Sequence, residues 1–277
     1  MNLTPQYDTG RFDLMKLAVN AAVEAGKEIL KIYQSDDFGV ELKKDSSPLT
    51  KADRKAHEVI LSRLGQEKFP VLSEESAEIP YSQRKSWHKF WLVDPLDGTK
   101  EFIKRNGEFT VNIALIVAQK PTLGVIYVPV HDSLYFGDEF SGSFFLGSAS
   151  VKLRDSGDFL KSACSLPFRN HSTFGIVASR SHMNQETSSF ISGLQRKHQD
   201  VRIVSRGSSL KLCMIAEGEA DIYPRFGPTS EWDTAAGHAI VSAAGGKVLK
   251  AGSDTEELQY NKPELLNPWF IASKGNP

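Results

Sequence analysis

The stretch Trp91-Leu92-Val93-Asp94-Pro95-Leu96-Asp97-Gly98-Thr99 decides how the chain is read. Three apolar residues before Asp94 predict a short buried strand, and Pro95 pushes Asp94 toward an extended conformation, so the strand is expected to end there. Asp97 brings a second carboxylate back to the same strand end. Gly98 and Thr99 then open a helix beginning Lys100-Glu101-Phe102. Free amides at a helix start, reinforced by the helix dipole, favour an anion. Hard oxygen donors beside an anion cradle point to Mg²⁺ and a phosphate. A bare Asp-x-x-Asp is more often a pair of turn and cap residues. The Gly-Thr continuation and two distant carboxylates change that balance.

Glu74 is the first of these. Phe69-Pro70-Val71-Leu72-Ser73 predicts a strand that delivers Glu74 and Glu75 at its end, although a solvated acidic loop running on to Glu78 would read the same locally. Asp233 is the second, in Glu231-Trp232-Asp233-Thr234-Ala235-Ala236-Gly237, at or near the N-cap of a small apolar helix. Capping alone would justify an Asp there, and capping is compatible with metal ligation. Trp232 reads as a packing residue that fixes the helix entry. Glu74, Asp94, Asp97 and Asp233 cannot share a small site as four anions unless cations neutralise them. Two ions about 3.5–4 Å apart can clamp the attacking and leaving oxygens of an in-line phosphoryl displacement. Such reactions are catalysed mainly by positioning and charge stabilisation.

Pro48-Leu49-Thr50-Lys51-Ala52-Asp53 precedes an apolar-periodic helix through Ala56, Val59, Ile60 and Leu64, so Thr50-x-x-Asp53 reads as a capping box.

The strings Leu72-Ser73-Glu74-Glu75, Trp91 through Phe102, and Trp232 through Gly237 resemble the three signature segments of the lithium-sensitive, Mg²⁺-dependent inositol monophosphatase superfamily, in a match that runs nearly end to end. Within it, residues 97–112 resemble the bacterial CysQ type of 3'(2'),5'-bisphosphate nucleotidase. Inositol monophosphatases tend to carry Thr-Asn-Phe where Lys100-Glu101-Phe102 stands.

The resemblance implies a layered α/β fold, the αβαβα sandwich shared by inositol monophosphatases and fructose-1,6-bisphosphatases, with the metal site between two halves. It implies that Glu74, Asp94 and the carbonyl of Leu96 hold one Mg²⁺, that Asp94, Asp97 and Asp233 hold a second, and that a third, weaker ion leans on Glu74. Gly98 and Thr99 would bind the scissile phosphate, so that Glu74, Leu96, Asp97 and Asp233 also border the substrate. A metal-activated water would be the nucleophile, oriented by Glu74 and by the pair Thr99 and Asp53, with no covalent phosphoenzyme. Only the resemblance raises Asp53 above a capping role.

A bisphosphate nucleotide carries a second phosphate, which needs cations or amides. Lys211 and Arg225 are the candidates, with Ser181, His182 and Ser208 in support by resemblance to nucleotidases; each would otherwise be an ordinary polar surface residue. The implied reaction is hydrolysis of adenosine 3',5'-bisphosphate to AMP and phosphate, clearing the nucleotide by-product of sulfate assimilation. An inositol-phosphate or sugar-phosphate phosphatase on the same fold is the nearest alternative, and a metal- or nucleotide-binding regulator without turnover is the third.

Composition agrees with a cytoplasmic enzyme. The 277 residues are 40% hydrophobic and 24% charged, enough for a large core. A net charge of −1 gives no global basic footprint, which argues against nucleic-acid polymers as partners and leaves room for a local pocket for a small phosphorylated nucleotide. Cys164 and Cys213 read as buried free thiols in a reducing compartment. The first residues show no secretory signal, and no apolar run reaches the length of a spanning helix. Peripheral association with the inner membrane, and a monomeric or dimeric state, both stay open.

A long amphipathic helix is expected through Leu14, Leu17, Ala21, Ala25 and Ile32, followed by the Asp53 helix and an antiparallel meander over 111–117, 123–128, 134–137 and 142–146. The polar stretch 148–161 suggests a boundary between an N-terminal α+β half, 1–150, and a C-terminal α/β half, 151–277, in which strands alternate with helices near 184–198, 208–217 and 233–244.

Overall fold

A computed structural model of the chain describes residues 9–43, 47–67, 69–155, 159–178 and 184–275. The chain opens with helix α1 (Thr9–Tyr33), a two-strand hairpin β1 (Glu41–Leu42) and β2 (Pro48–Leu49), and helix α2 (Lys51–Leu64). Then come β3 (Val71–Ser73), the short helix α3 (Tyr81–Arg84), β4 (Lys89–Asp97) and α4 (Thr99–Ile103). The expected meander forms β5 (Thr110–Val117), β6 (Lys120–Val128), β7 (Ser133–Asp138) and β8 (Gly142–Gly147). After α5 (Ala149–Asp155), β9 (Cys164–Ser165) adds to the edge of β8. The remainder alternates: β10 (Phe174–Val177), α6 (Gln185–Lys197), β11 (Val201–Val204), α7 (Leu210–Glu217), β12 (Ile222–Arg225), α8 (Glu231–Ala243), β13 (Lys247–Lys250) and β14 (Phe270–Ser273).

Seven strands, β3 to β9 in sequence order, make one sheet, antiparallel except for the β3/β4 pair. The second sheet runs β11-β10-β12-β14-β13, with β10 parallel to both β11 and β12. Strand alternation divides the core. In β4 and β5, Trp91, Val93, Val111, Ile113 and Leu115 pack toward α1 and α2, while Phe90, Leu92, Ala114 and Ile116 pack toward α7 and α8. A sheet covered on both faces explains the nearly unbroken apolar run Ile113-Ala114-Leu115-Ile116-Val117. Beyond α7 and α8 lies the second sheet, and Ile176 and Ala178 on its far face meet Ile191 of α6. The layers are therefore αβαβα, as the resemblance implies.

The middle helix layer is pressed hard against the first sheet. A Cβ on Gly124 of β6 would lie 2.2 Å from the carbonyl oxygen of Ala236 in α8. Only glycine allows that approach.

Two expectations need correction. β4 does not end at Asp94. It continues to Asp97 through a register shift against β5 between these residues, because a bulge absorbs a proline that cannot donate to the ladder. Cys164 is exposed, since it sits in a two-residue edge strand; Cys213 is buried in α7 as expected. Among the described residues, no helix is long and apolar enough to cross a membrane.

Candidate active site

The bulge in β4 is what gathers the acids. Asp94 is almost completely buried at its start, and its Oδ1 accepts the amide of Leu96 at 3.1 Å, curling the chain so that Asp97 returns to the same end. From the opposite layer, α8 brings Asp233 in on its first turn. Carboxylate oxygens of Asp94, Asp97 and Asp233 all lie within 4.8 Å of one another.

Each acid is held from behind. Asp97 Oδ2 accepts the Ser209 amide at 2.6 Å and lies 2.7 Å from Ser209 Oγ, which is itself 2.8 Å from the Asp233 carbonyl and accepts from Asn112 Nδ2 at 2.9 Å. Asp233 Oδ2 accepts the Ser230 amide at 2.7 Å, the helix-capping interaction expected of it. Burial, and then the charges of Glu74, Asp97 and Asp233, push the Asp94 carboxyl well above the usual carboxylate range. Burial and Asp97 push Asp233 up to about 8.

Glu74 follows β3 directly and stands outside that tight trio. It is nonetheless in hydrogen-bonding contact with Asp94, and its Oε1 takes the Lys43 ammonium at 2.7 Å. Lys43 also reaches Glu75 at 2.8 Å. Burial raises the Glu74 carboxyl, and Lys43 works against it.

Two carboxyls in contact need a shared proton or a cation between them. Carboxylate oxygens of a buried and two half-buried acids on a single focus are the hard donors that a small divalent cation takes. The residues fit Mg²⁺.

Gly98 caps α4 with φ +92°, and a Cβ there would meet the Glu108 carbonyl oxygen at 3.0 Å and Ser208 Cβ at 3.1 Å, so both conformation and crowding require glycine. Thr99 follows. Its hydroxyl donates to Asp53 Oδ1 at 3.1 Å and lies 3.3 Å from the Leu96 carbonyl. Asp53 meanwhile closes the capping box of α2, accepting the Thr50 amide at 2.7 Å and the Thr50 hydroxyl. Cap and active-site partner are thus one residue. Burial raises the affinity of its carboxyl for a proton.

A cavity of about 630 Å³ opens from Asp97 and Asp233 toward Lys100, Lys104 and Arg206. Lys211 and Arg225 also line it, with different freedom. The Lys211 ammonium donates to the carbonyls of Ser208 at 2.6 Å and Arg206 at 3.3 Å, beneath the loop that carries them, and burial pulls its pKa down to about 8. Arg225 gives Nη2 to the Pro228 carbonyl at 2.9 Å, while its buried Nε has no protein partner. Ser208 stands at φ +45° with its hydroxyl 3.0 Å from that of Thr110. Ser181 and His182 lie outside the described residues.

Ser209, Asn112 and Lys43 belong to the site and were not singled out by sequence. Ser209 stands next to Ser208, which the resemblance did single out. Lys43 sits in an ordinary-looking Lys-Lys pair, and nothing local ties it to acids more than thirty residues later.

A sequence profile of the inositol monophosphatase family matches residues 13–273. The 3'(2'),5'-bisphosphate nucleotidase CysQ of Salmonella typhimurium is 44% identical over 261 residues, covering 93% of this chain and 98% of the relative. The nucleotidase CysQ of Escherichia coli K12 is 44% identical over 256 residues, covering 91% and 96%. The crystal structure of CysQ from Bacteroides thetaiotaomicron, described as a bacterial member of the inositol monophosphatase family, matches at a TM-score of 0.88 with 50% identity over 96% of this chain and 98% of that one. The inositol monophosphatase of Anabaena shares the fold, at a TM-score of 0.70 and 24% identity. A profile spanning nearly the whole chain and relatives of this identity and coverage lead to one conclusion: the chain belongs to the inositol monophosphatase family.

Proposed function

We propose that the chain is a Mg²⁺-dependent phosphomonoesterase that hydrolyses adenosine 3',5'-bisphosphate to AMP and phosphate, clearing a nucleotide by-product of sulfate assimilation in the cytoplasm. One observation carries the reading: Asp94, Asp97 and Asp233 converge on one focus, beside the Thr99–Asp53 pair and at the end of a cavity that also presents Lys100, Lys104, Arg206, Lys211 and Arg225. The name 3'(2'),5'-bisphosphate nucleotidase, carried by relatives such as that of Salmonella typhimurium, supports a bisphosphate nucleotide as the substrate class.

Glu74, Asp94 and the Leu96 carbonyl would hold one Mg²⁺, and Asp94, Asp97 and Asp233 another, with a third weaker ion near Glu74. Bound Mg²⁺ would lower the pKa of water and neutralise charge on the transferring phosphoryl group. The protein's own groups do the rest. Gly98 and the α4 start offer amides to the scissile phosphate. Thr99 Oγ1 orients the attacking water with Glu74; as the water gives a proton to Thr99 Oγ1, that hydroxyl passes its own to Asp53 Oδ1, 3.1 Å away. Arg225, with its unpartnered Nε, and Lys211 would hold the phosphate that is not cleaved, with Ser208 beside them; Ser181 and His182 are added only by the resemblance to nucleotidases. Residues 1–150 thus supply most of the metal and phosphate chemistry, while residues 151–277 supply Asp233 and the substrate loops.

A phosphate-release panel tests this, comparing adenosine 3',5'-bisphosphate, its sulfated precursor, inositol 1-phosphate and fructose 1,6-bisphosphate with Mg²⁺ present. The expected result is the highest kcat/KM on the bisphosphate nucleotides. Equal or better hydrolysis of inositol 1-phosphate would move the assignment to an inositol phosphatase, and no release from any substrate would remove the enzymatic reading.

A further inference from the structure

Asp233 reaches the acidic cluster from the first turn of α8, and that turn is gripped by buried polar groups that the reaction does not use. Glu231, two residues earlier, has no solvent exposure. Its Oε2 accepts the Asn261 amide at 2.5 Å; its Oε1 accepts the Lys262 amide at 3.0 Å and the Lys262 ammonium at 2.5 Å. The Glu231 amide in turn donates to the Leu265 carbonyl at 2.9 Å. The loop that supplies these partners is itself fastened by Arg84, which is also buried. Arg84 donates to Asn261 Oδ1 at 2.9 Å and to the carbonyls of Lys262 at 2.6 Å and Pro263 at 2.8 Å, and its own carbonyl accepts Asn261 Nδ2 at 2.8 Å.

Stability does not require this arrangement. An apolar side chain of similar volume serves a buried site at least as well as an ion pair, whose charges must first leave water. What a carboxylate with three donors adds is direction, since each hydrogen bond fixes an atom in angle as well as distance. Arg84 belongs to α3, shortly after Glu74, so the network joins the segment that bears Glu74 to the helix that bears Asp233.

We propose that Glu231 is a positioning residue for Asp233: together with Lys262, Asn261 and Arg84 it sets the orientation of the first turn of α8, and through it the affinity of the acidic cluster for Mg²⁺. The proposal rests on the reading of Asp233 as a Mg²⁺ ligand.

The test measures Mg²⁺ binding by calorimetry on the metal-stripped full chain without substrate, alongside the Mg²⁺ dependence of turnover and the melting temperature in chelator. Glu231→Gln, Lys262→Met and Asp233→Asn are compared with the unaltered protein. Partners one shell out from a metal typically change affinity about 10- to 100-fold. Glu231→Gln is expected to weaken Mg²⁺ binding by about 10-fold or more, with turnover recovering at high Mg²⁺ and the substrate KM unchanged there. Lys262→Met, which leaves both backbone donors to Glu231, should shift binding the same way by less. A merely structural role would lower the melting temperature and leave Mg²⁺ affinity alone, and that result overturns the proposal. Should Glu231→Gln fail to fold, Lys262→Met decides by the same criterion. If Asp233→Asn binds Mg²⁺ as tightly as the unaltered protein, the metal reading fails and takes the proposal with it; if Asp233→Asn alone weakens binding, only the positioning role of Glu231 is lost.

Discussion

Replacing Asp233 by Asn should move stability and activity in opposite directions. Without metal, burial and the neighbouring Asp97 push the Asp233 carboxyl from 3.8 up to about 8. An acid whose folded pKa is raised contributes no loss of stability below its unfolded pKa, and destabilises progressively as pH rises from there toward the folded value. Between about pH 4 and pH 7 the window spans roughly three units at about 1.4 kcal/mol each, so this one group costs the metal-free protein about 4 kcal/mol at neutral pH. That is an upper figure, because relief at one carboxyl is shared with Asp94 and Glu74. Asn cannot ionise, and its amide oxygen can still accept from the Ser230 amide, as Asp233 does at 2.7 Å. At about 2–4 °C per kcal/mol for a chain of this size, the Asn variant should melt about 5–15 °C higher than the unaltered protein in chelator at pH 7, and the gap should close near pH 4. Adding Mg²⁺ narrows that gap. A site occupied at a hundredfold excess over Kd gains about 2.7 kcal/mol, which the variant forgoes along with phosphate release. Thermal melts across pH 4 to 8, with chelator and with Mg²⁺, provide the measurement. An Asn variant that is less stable in chelator at neutral pH, or that gains as much from Mg²⁺, would refute the reasoning.

Asp94→Asn should abolish phosphate release while the chain stays folded, since Asp94 faces Glu74, Asp97 and Asp233 at once; near-normal turnover at saturating Mg²⁺ would sink its role as the bridging ligand. Exhaustive chelation should eliminate activity, and Ca²⁺, too large for compact octahedral geometry, should inhibit rather than replace Mg²⁺. Li⁺ should inhibit at millimolar levels or below, as the family resemblance implies, and an insensitive enzyme would count against that expectation. Arg225→Ala should lower kcat/KM on adenosine 3',5'-bisphosphate by roughly 10- to 150-fold, about 1.5–3 kcal/mol, and spare inositol 1-phosphate. Lys211→Ala should likewise cost more on adenosine 3',5'-bisphosphate than on inositol 1-phosphate; equal losses on the two substrates would show that it acts by supporting the loop through the Ser208 and Arg206 carbonyls, not on the second phosphate.

Much of this was legible in the sequence, because the decisive features are local. The apolar runs of β5 through β8, broken by turn residues, and the apolar stripe of α1 follow from which faces are covered: a strand covered on both faces is apolar throughout, and a helix covered on one carries a stripe. Asp94 and Asp97 could be paired on one strand end because a proline and a glycine punctuate the turn between strand and helix. The strand's true end was hidden, since a bulge lets a ladder survive a proline and leaves no separate mark in composition. Partners that meet only through tertiary packing were hidden as well. Ser209 bonds Asp97 across the space between sheets, and Lys43 joins Glu74 from a distant hairpin. Glu231 looks like any acid in a helix's first turn until Lys262 and Asn261 arrive from the far side of α8.

The placement of the acids on β4 and on α8 also bears on how the chain comes apart. An ion held by Asp94, Asp97 and Asp233 is a non-covalent cross-link between positions far apart in sequence, enclosing β5 through β12 in one loop. Chain entropy makes such a closure more constraining the longer the loop, although only by about 0.6 kcal/mol per doubling. The larger effect is kinetic. Neither the first sheet nor the middle helix layer can separate from the other until the cation leaves, so occupancy should slow global unfolding while leaving the fraying of exposed edges such as β9 and β11 untouched. During synthesis the same geometry would impose an order: Asp94 and Asp97 emerge early, and an ion that needs all three acids could bind only once α8 has docked on Gly124, when the chain is nearly complete.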